Sequence, residues 1–138
     1  LRNYVLELIH LGQKLKPMQT RGPVTNAASR ISALFIELLE RQFPIESDVQ
    51  KIQLKTPLDF ATTLGIHINH LNKVLKETTG RSTTEIINSR LAEEAKILLK
   101  QTQWNVSEIA FALGFEEVAH FSNFFKKQTS LSPLKYRN

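Results

Sequence analysis

Two stretches of the chain, "FATTLGIHINHLNKVLKET" at residues 60–78 and "IAFALGFEEVAHFSNFFKK" at residues 109–127, repeat one pattern. Each places an alanine four residues before a glycine, Ala61 with Gly65 and Ala110 with Gly114. Apolar residues at helical spacing follow, Leu71, Val74 and Leu75 in the first copy and Phe121, Phe124 and Phe125 in the second. A small alanine lets two helix axes approach closely where they cross. A glycine can take the positive φ that ends a helix and turns the chain sharply. The apolar residues then wedge a second helix against the first. From glycine to first wedge the spacing is six residues in one copy and seven in the other, which predicts a second turn one residue longer.

The remainder of the sequence is helical in pattern. Glycine and proline number five each, and the stretches between them carry apolar residues three and four apart. Helix starts are marked by Thr56 with Pro57 and Asp59, by Ser82 with Glu85, by Asn105 with Glu108 and by Ser132 with Pro133. These signals predict helices near 57–64, 68–78, 83–100, 106–113, 117–128 and 133–137. Upstream, Val5, Leu8, Ile9 and Leu15 stripe one helix face ahead of the loop "KPMQTRGP", and Ile31, Leu34, Phe35, Leu38, Leu39 and Gln42 mark a second helix that stops before Pro44. Residues 44–55, "PIESDVQKIQLK", read as a polar connection. The expected fold is all-α, with two helix-turn-helix units joined by a long helix and preceded by two amphipathic helices. The expected division is a helical linker or dimerisation segment over 1–55 and a double helix-turn-helix domain over 56–138.

Composition narrows the function. With no cysteine, disulfides, thiol nucleophiles and Cys-based zinc sites are excluded, and His67 with His70 lack a third ligand nearby in sequence. There is no cofactor motif, and no paired carboxylates, Gly-rich phosphate loop or partnered nucleophile marks a catalytic site, so an enzyme is not expected. Glu93 and Glu94, adjacent on a helix, read as a solvated face. No apolar run reaches the ~20 residues of a membrane helix, and no leader precedes a cleavage site, so a cytoplasmic protein without membrane contact is expected. A start at Leu1 rather than Met fits a piece of a longer protein. The net charge is +5, and residues 51–138 hold 12 basic against 8 acidic side chains, which places most of the excess in the half with the repeat.

A repeated pair of short helices in a basic half-chain points to double-stranded DNA. Between the copies, "STTEIINSRLAEEAKILLK" would form roughly 27 Å of rod at ~1.5 Å per residue. That length approaches the ~34 Å between successive major-groove faces on one side of B-DNA. A rival reading is a helical protein-interaction module whose repeats bind a partner's helices.

The stretches "SRLAEEAKILL", "VSEIAFALGF", "HFSNFFKK" and "SPLKYR" resemble the signature of AraC/XylS-type transcription regulators over residues 56–138. The resemblance includes the extra residue in the second turn. Ser130 departs from it, standing where the family pattern commonly has glycine. It implies a bacterial regulator, either activator or repressor, whose second helix in each unit enters the major groove. It further implies contact with RNA polymerase and a separate effector or dimerisation domain ahead of the DNA-binding part, while the amphipathic stripes of residues 1–43 suit either a cover over the domain that follows or self-association. Carried over by position, the first reading helix offers His67, Asn69, His70, Asn72 and Lys73, and the second offers Ala119, His120, Ser122 and Asn123. Asparagine can pair bidentately with adenine, and lysine can donate to guanine or to phosphate. Lys76, Arg81, Lys126, Lys127, Lys135 and Arg137 suit phosphate, where charge adds affinity without sequence information. Arg90 resembles a bracing position of the family. Trp104, Phe111 and Phe115 read as packing residues, and Glu116 and Glu117 as helix-end carboxylates at the longer turn and the first turn of the second reading helix.

Overall fold

The computed structural model describes residues 26–47 and 49–138, and among them all regular structure is helical. Seven helices are described: α1 Asn26–Arg41, α2 Pro57–Leu64, α3 Ile68–Thr79, α4 Thr83–Gln101, α5 Val106–Ala112, α6 Val118–Thr129 and α7 Pro133–Arg137. The helix expected around Val5 and Leu15 lies outside the described residues. No helix among them is long and apolar enough to cross a membrane. The chain divides into two compact units, and both helix-turn-helix pairs expected from the repeat are present, one in each.

The first unit comprises α1, α2, α3 and the start of α4. Helix α2 begins with a reciprocal cap, in which Asp59 N donates to Thr56 Oγ1 at 3.1 Å and Thr56 N donates to Asp59 Oδ2 at 3.0 Å. Gly65 ends it at φ 72°, so the left-handed turn falls where the sequence required it. Ala61, Leu71, Val74 and Leu75 are buried as the wedge between α2 and α3. Helix α1 closes this core. Its Phe35 and Leu39 are buried, and the Phe35 ring meets Phe60 edge-on with centroids 4.9 Å apart. Ser32 and Thr78 share a hydrogen bond of 2.5 Å between α1 and α3. Leu34, counted in the apolar stripe of α1, is 45% exposed.

The second unit comprises residues 42–55 and 85–138. Asn105 and Glu108 cap α5 reciprocally, with N–H to oxygen distances of 2.7 and 2.8 Å. Gly114 turns the chain at φ 88°. Three residues, 115–117, then precede α6, against two, 66 and 67, before α3, so the second turn has the expected extra residue. Phe121 and Phe125 are fully buried, while Phe124 is half-buried and its ring lies 5.1 Å from that of Phe115. Helix α6 ends at Ser130, held at φ 72° with its N–H on Lys126 O at 2.7 Å. The serine thus adopts the turn usually given to glycine.

Residues 44–55 are not the polar connection their composition implied. Phe43, Ile45 and Ile52 are buried in the second unit, and Ile52 N donates to Ala112 O at 3.0 Å. Gln42 fixes the loop's return, since its Nε2 donates to Leu54 O at 2.8 Å and its Oε1 accepts from Gln53 N and Leu54 N. The Phe43–Pro44 peptide bond is cis. Glu94 corrects the reading of a solvated acidic face. Its carboxylate is 1% exposed, accepting Ile45 N at 2.8 Å on Oε2 and Arg90 Nη1 at 3.2 Å on Oε1, whereas Glu93 is exposed and pairs with Lys96 at 3.7 Å. A buried carboxylate requires such partners. Phe111 is likewise no core residue, being 50% exposed on α5.

Candidate nucleic-acid interface

In each unit the second helix spends one side on packing and leaves the other in solvent. On α3, burial of Leu71, Val74 and Leu75 turns Asn69, His70, Asn72, Lys73 and Lys76 outward, all of them exposed. On α6, burial of Phe121 and Phe125 leaves Ala119, His120, Asn123, Lys126 and Lys127 exposed, with Ser122 half-buried on the flank. The residues expected to read bases thus fall into two groups, one on each unit.

Several of these side chains also hold the local structure. His67 is the N-cap of α3, its Nδ1 accepting from Asn69 N at 3.0 Å, so the proton of a neutral ring sits on Nε2. Asn72 Oδ1 accepts the hydroxyl of Thr83 at 2.8 Å, tying α3 to the start of α4. Thr83 is buried, so this bond satisfies a hydroxyl that water cannot reach. Lys76 Nζ donates to Gly80 O at 3.2 Å, a cation at the negative end of its own helix. Arg81 is exposed just past that end.

The second reading helix starts differently. Its N-cap is Glu117, one residue earlier than the first-turn place expected, and that side chain makes no capping hydrogen bond. Lys126 and Lys127 lie in the last turn of α6, complementing the dipole there. Arg137, assigned to phosphate by residue type, is instead a structural group. Its Nε donates to Leu99 O at 2.8 Å and its Nη2 to Thr102 O at 3.4 Å, satisfying carbonyls at the end of α4. Arg90 braces the second unit by pairing with Glu94 and by lying 4.1 Å from the Phe43 ring centroid. Trp104 is half-buried, as a packing residue should be. Among the described residues, no group of three or more histidines and acids could hold a metal ion.

Sequence reasoning passed over two cations. Lys55 Nζ lies 3.4 Å from the Phe115 ring centroid and donates to Gly114 O at 3.3 Å, and Lys51 Nζ lies 4.6 Å from the Phe111 centroid. Lys55 sits at the turn that leads into α6, and Lys51 lies against the end of α5 just before it. Burial, and then the charge of Lys51, hold the Lys55 ammonium below its ordinary range, while Glu116 pulls the other way. The position of Lys55 immediately before the Thr56 cap is its one local signal, because its aromatic partner is sixty residues away in sequence.

Comparison with known proteins agrees with this architecture. The chain is 34% identical over 87 residues to the HTH-type transcriptional regulator GlxA of Rhizobium meliloti, a match covering 61% of this chain and 27% of that protein. Among solved structures, the C-terminal domain of the two-component response regulator yesN from Fusobacterium nucleatum superposes with a TM-score of 0.61 at 27% identity, covering 83% of this chain and 100% of that one. The DNA-binding domain of AdpA, a global transcriptional factor solved in complex with a target DNA, shares the fold with a TM-score of 0.57 at 18% identity, covering 82% and 91%. The chain spans between 8% and 41% of the length of the first curated relatives it matches. Residues 60–138 match the model of the helix-turn-helix domain family. With two capped helix-turn-helix pairs and a family match over more than half its length, the chain belongs to the helix-turn-helix domain family, in its AraC/XylS type.

Proposed function

We propose that this chain is the sequence-specific DNA-binding part of a transcription regulator, with α3 and α6 reading successive major-groove segments of double-stranded DNA. The observation that carries the reading is the two-sidedness of both helices. Each buries an apolar wedge in its own unit and offers solvent a face of hydrogen-bonding and cationic side chains. In the first unit Asn69, Asn72, Lys73 and His70 face base edges, with His67 at the helix start and Lys76 and Arg81 at phosphate. In the second, Ala119, His120, Ser122 and Asn123 face bases while Lys126 and Lys127 hold the backbone. Ala119 offers a thymine methyl an apolar contact. Asn72 keeps its amide NH2 for a base while Thr83 fixes its oxygen.

Activation through RNA polymerase and self-association belong to the same reading of the longer protein. Self-association through residues 1–43 would need surface that α1 does not use within its own unit, of which Leu34 is an apolar part. The decisive experiment is selection of bound sites from a random duplex pool, followed by fluorescence anisotropy on the selected site. Two blocks of preferred bases about one helical turn apart are expected. Absence of duplex preference at every salt concentration would overturn the reading in favour of a protein-interaction module.

A further inference from the structure

Residues 42–55 carry surface chemistry as well as packing. The segment is pinned to the second unit by buried Ile45 and Ile52, by the Ile52 to Ala112 backbone hydrogen bond and by the Gln42 bracket. Fit is close at the turn, where a Cβ on Gly114 would lie 3.2 Å from Ile52 Cγ1 and 3.3 Å from Lys55 Cδ. Two ammonium groups are thereby held along the α5–α6 turn and the end of α5, Lys55 over Phe115 within the turn and Lys51 over the half-exposed Phe111 of α5. The same turn carries exposed Glu116 and Glu117, the carboxylates that would repel a phosphate backbone approaching α6.

We propose that the Lys51 and Lys55 ammonium groups, held on the faces of Phe111 and Phe115, form a phosphate-binding edge of the second helix-turn-helix unit that offsets Glu116 and Glu117. This deepens the DNA-binding reading and rests on it. The rings hold the cations without neutralising them, since a ring face attracts a cation through its quadrupole and carries no net charge. The aromatic seats also shorten the reach of both side chains, so the charges stand at defined places instead of sweeping through solvent. A lysine ordered in this way loses less side-chain freedom on meeting phosphate.

The test uses the full chain and a duplex selected by it, with anisotropy titrations over a series of salt concentrations. Lys51→Gln and Lys55→Gln should each reduce the slope of log K against log salt by about 0.9 and weaken binding several-fold at fixed salt. Lys55→Arg should restore the slope, and Lys96→Gln, whose side chain pairs with Glu93 on α4, should leave it unchanged. Lys51 is exposed, so its variant separates charge from folding even where Lys55→Gln lowers stability. An unchanged slope in Lys51→Gln and Lys55→Gln, alongside a reduced one in Lys126→Gln, overturns the edge and leaves DNA binding standing. A wild-type chain that binds no duplex removes both.

Discussion

The backbone N–H of Ile45 donates to the Glu94 carboxylate at 2.8 Å across 49 residues of sequence, and Arg90 takes the other oxygen. Glu94 therefore adds a buried polar tie to the apolar burial of Ile45 and Ile52 that holds residues 42–55 in the second unit. Glu94→Ala would strand the Ile45 N–H and remove the carboxylate that Arg90 pairs with, and should destabilise the protein by roughly 3 kcal/mol. Glu94→Gln retains an acceptor for Ile45 and should cost about half as much. Urea denaturation of both variants checks the order.

The two turn glycines differ in what surrounds them. Gly65 has open space where a Cβ would stand, whereas Gly114 has Ile52 and Lys55 within 3.3 Å. Both have positive φ, so Gly65→Ala should cost the conformational penalty alone, about 1–2 kcal/mol. Gly114→Ala adds the displacement of residues 52–55 and should cost roughly 1 kcal/mol more. Equal losses in the two melts would mean that the 42–55 segment gives way freely.

What could be read from sequence was local. The left-handed turns, the capping residues and the extra residue before α6 each arise from side chains within a few positions of one another. Pairings across long separations left weaker traces. Glu94 stands three residues after Leu91 and four before Leu98, on the buried stripe of α4, so its burial was signalled by position although its charge argued otherwise. Ile45 and Ile52 are too far apart to show a period, and the polar residues between them masked their role. Phe111 shows the opposite case, because an aromatic on a seven-residue helix reads as core although its exposed face carries a lysine. The base-facing residues are legible only as exposed polar positions, since exposure does not distinguish a base contact from a solvated face.

Ser130 holds φ 72° as the C-cap of α6, a conformation that disfavours any residue with a Cβ. Its counterpart after α3 is Gly80 at φ 78°. Ser130→Gly should therefore stabilise the protein by about 1 kcal/mol, seen as a rise of a few degrees in the thermal midpoint, while Gly80→Ala, which like Gly65→Ala meets open space, should lower stability by about 1–2 kcal/mol. A neutral Ser130→Gly would show that the serine side chain compensates the strain.

His67 combines a capping role with a place at the start of α3, and two substitutions separate them. Asparagine can accept the Asn69 N–H as the imidazole does, so His67→Asn should keep stability within about 0.5 kcal/mol, while His67→Ala should cost about 1 kcal/mol. If the imidazole contacts DNA, both variants lose affinity for the selected duplex. Loss in His67→Ala alone would confine the residue to capping.

On the proposed interface the two reading helices should contribute unequally. Asn72→Ala and Lys73→Ala should each weaken the selected site by on the order of 1–3 kcal/mol per lost base contact, with specificity relaxed at the contacted position. The second helix starts at Glu117, which offers its N-terminus a negative charge but no capping hydrogen bond. Glu117→Gln removes the charge and should raise affinity for nonspecific duplex at low salt, because the carboxylate no longer opposes phosphate near α6. Glu117→Ser removes the same charge and adds a capping hydroxyl, so it should raise that affinity equally while stabilising the fold by about 1 kcal/mol. Paired anisotropy and thermal denaturation read the two effects independently. Unchanged nonspecific affinity in both variants would place Glu117 away from the DNA backbone, and the second helix would then approach DNA through its later residues, Asn123, Lys126 and Lys127.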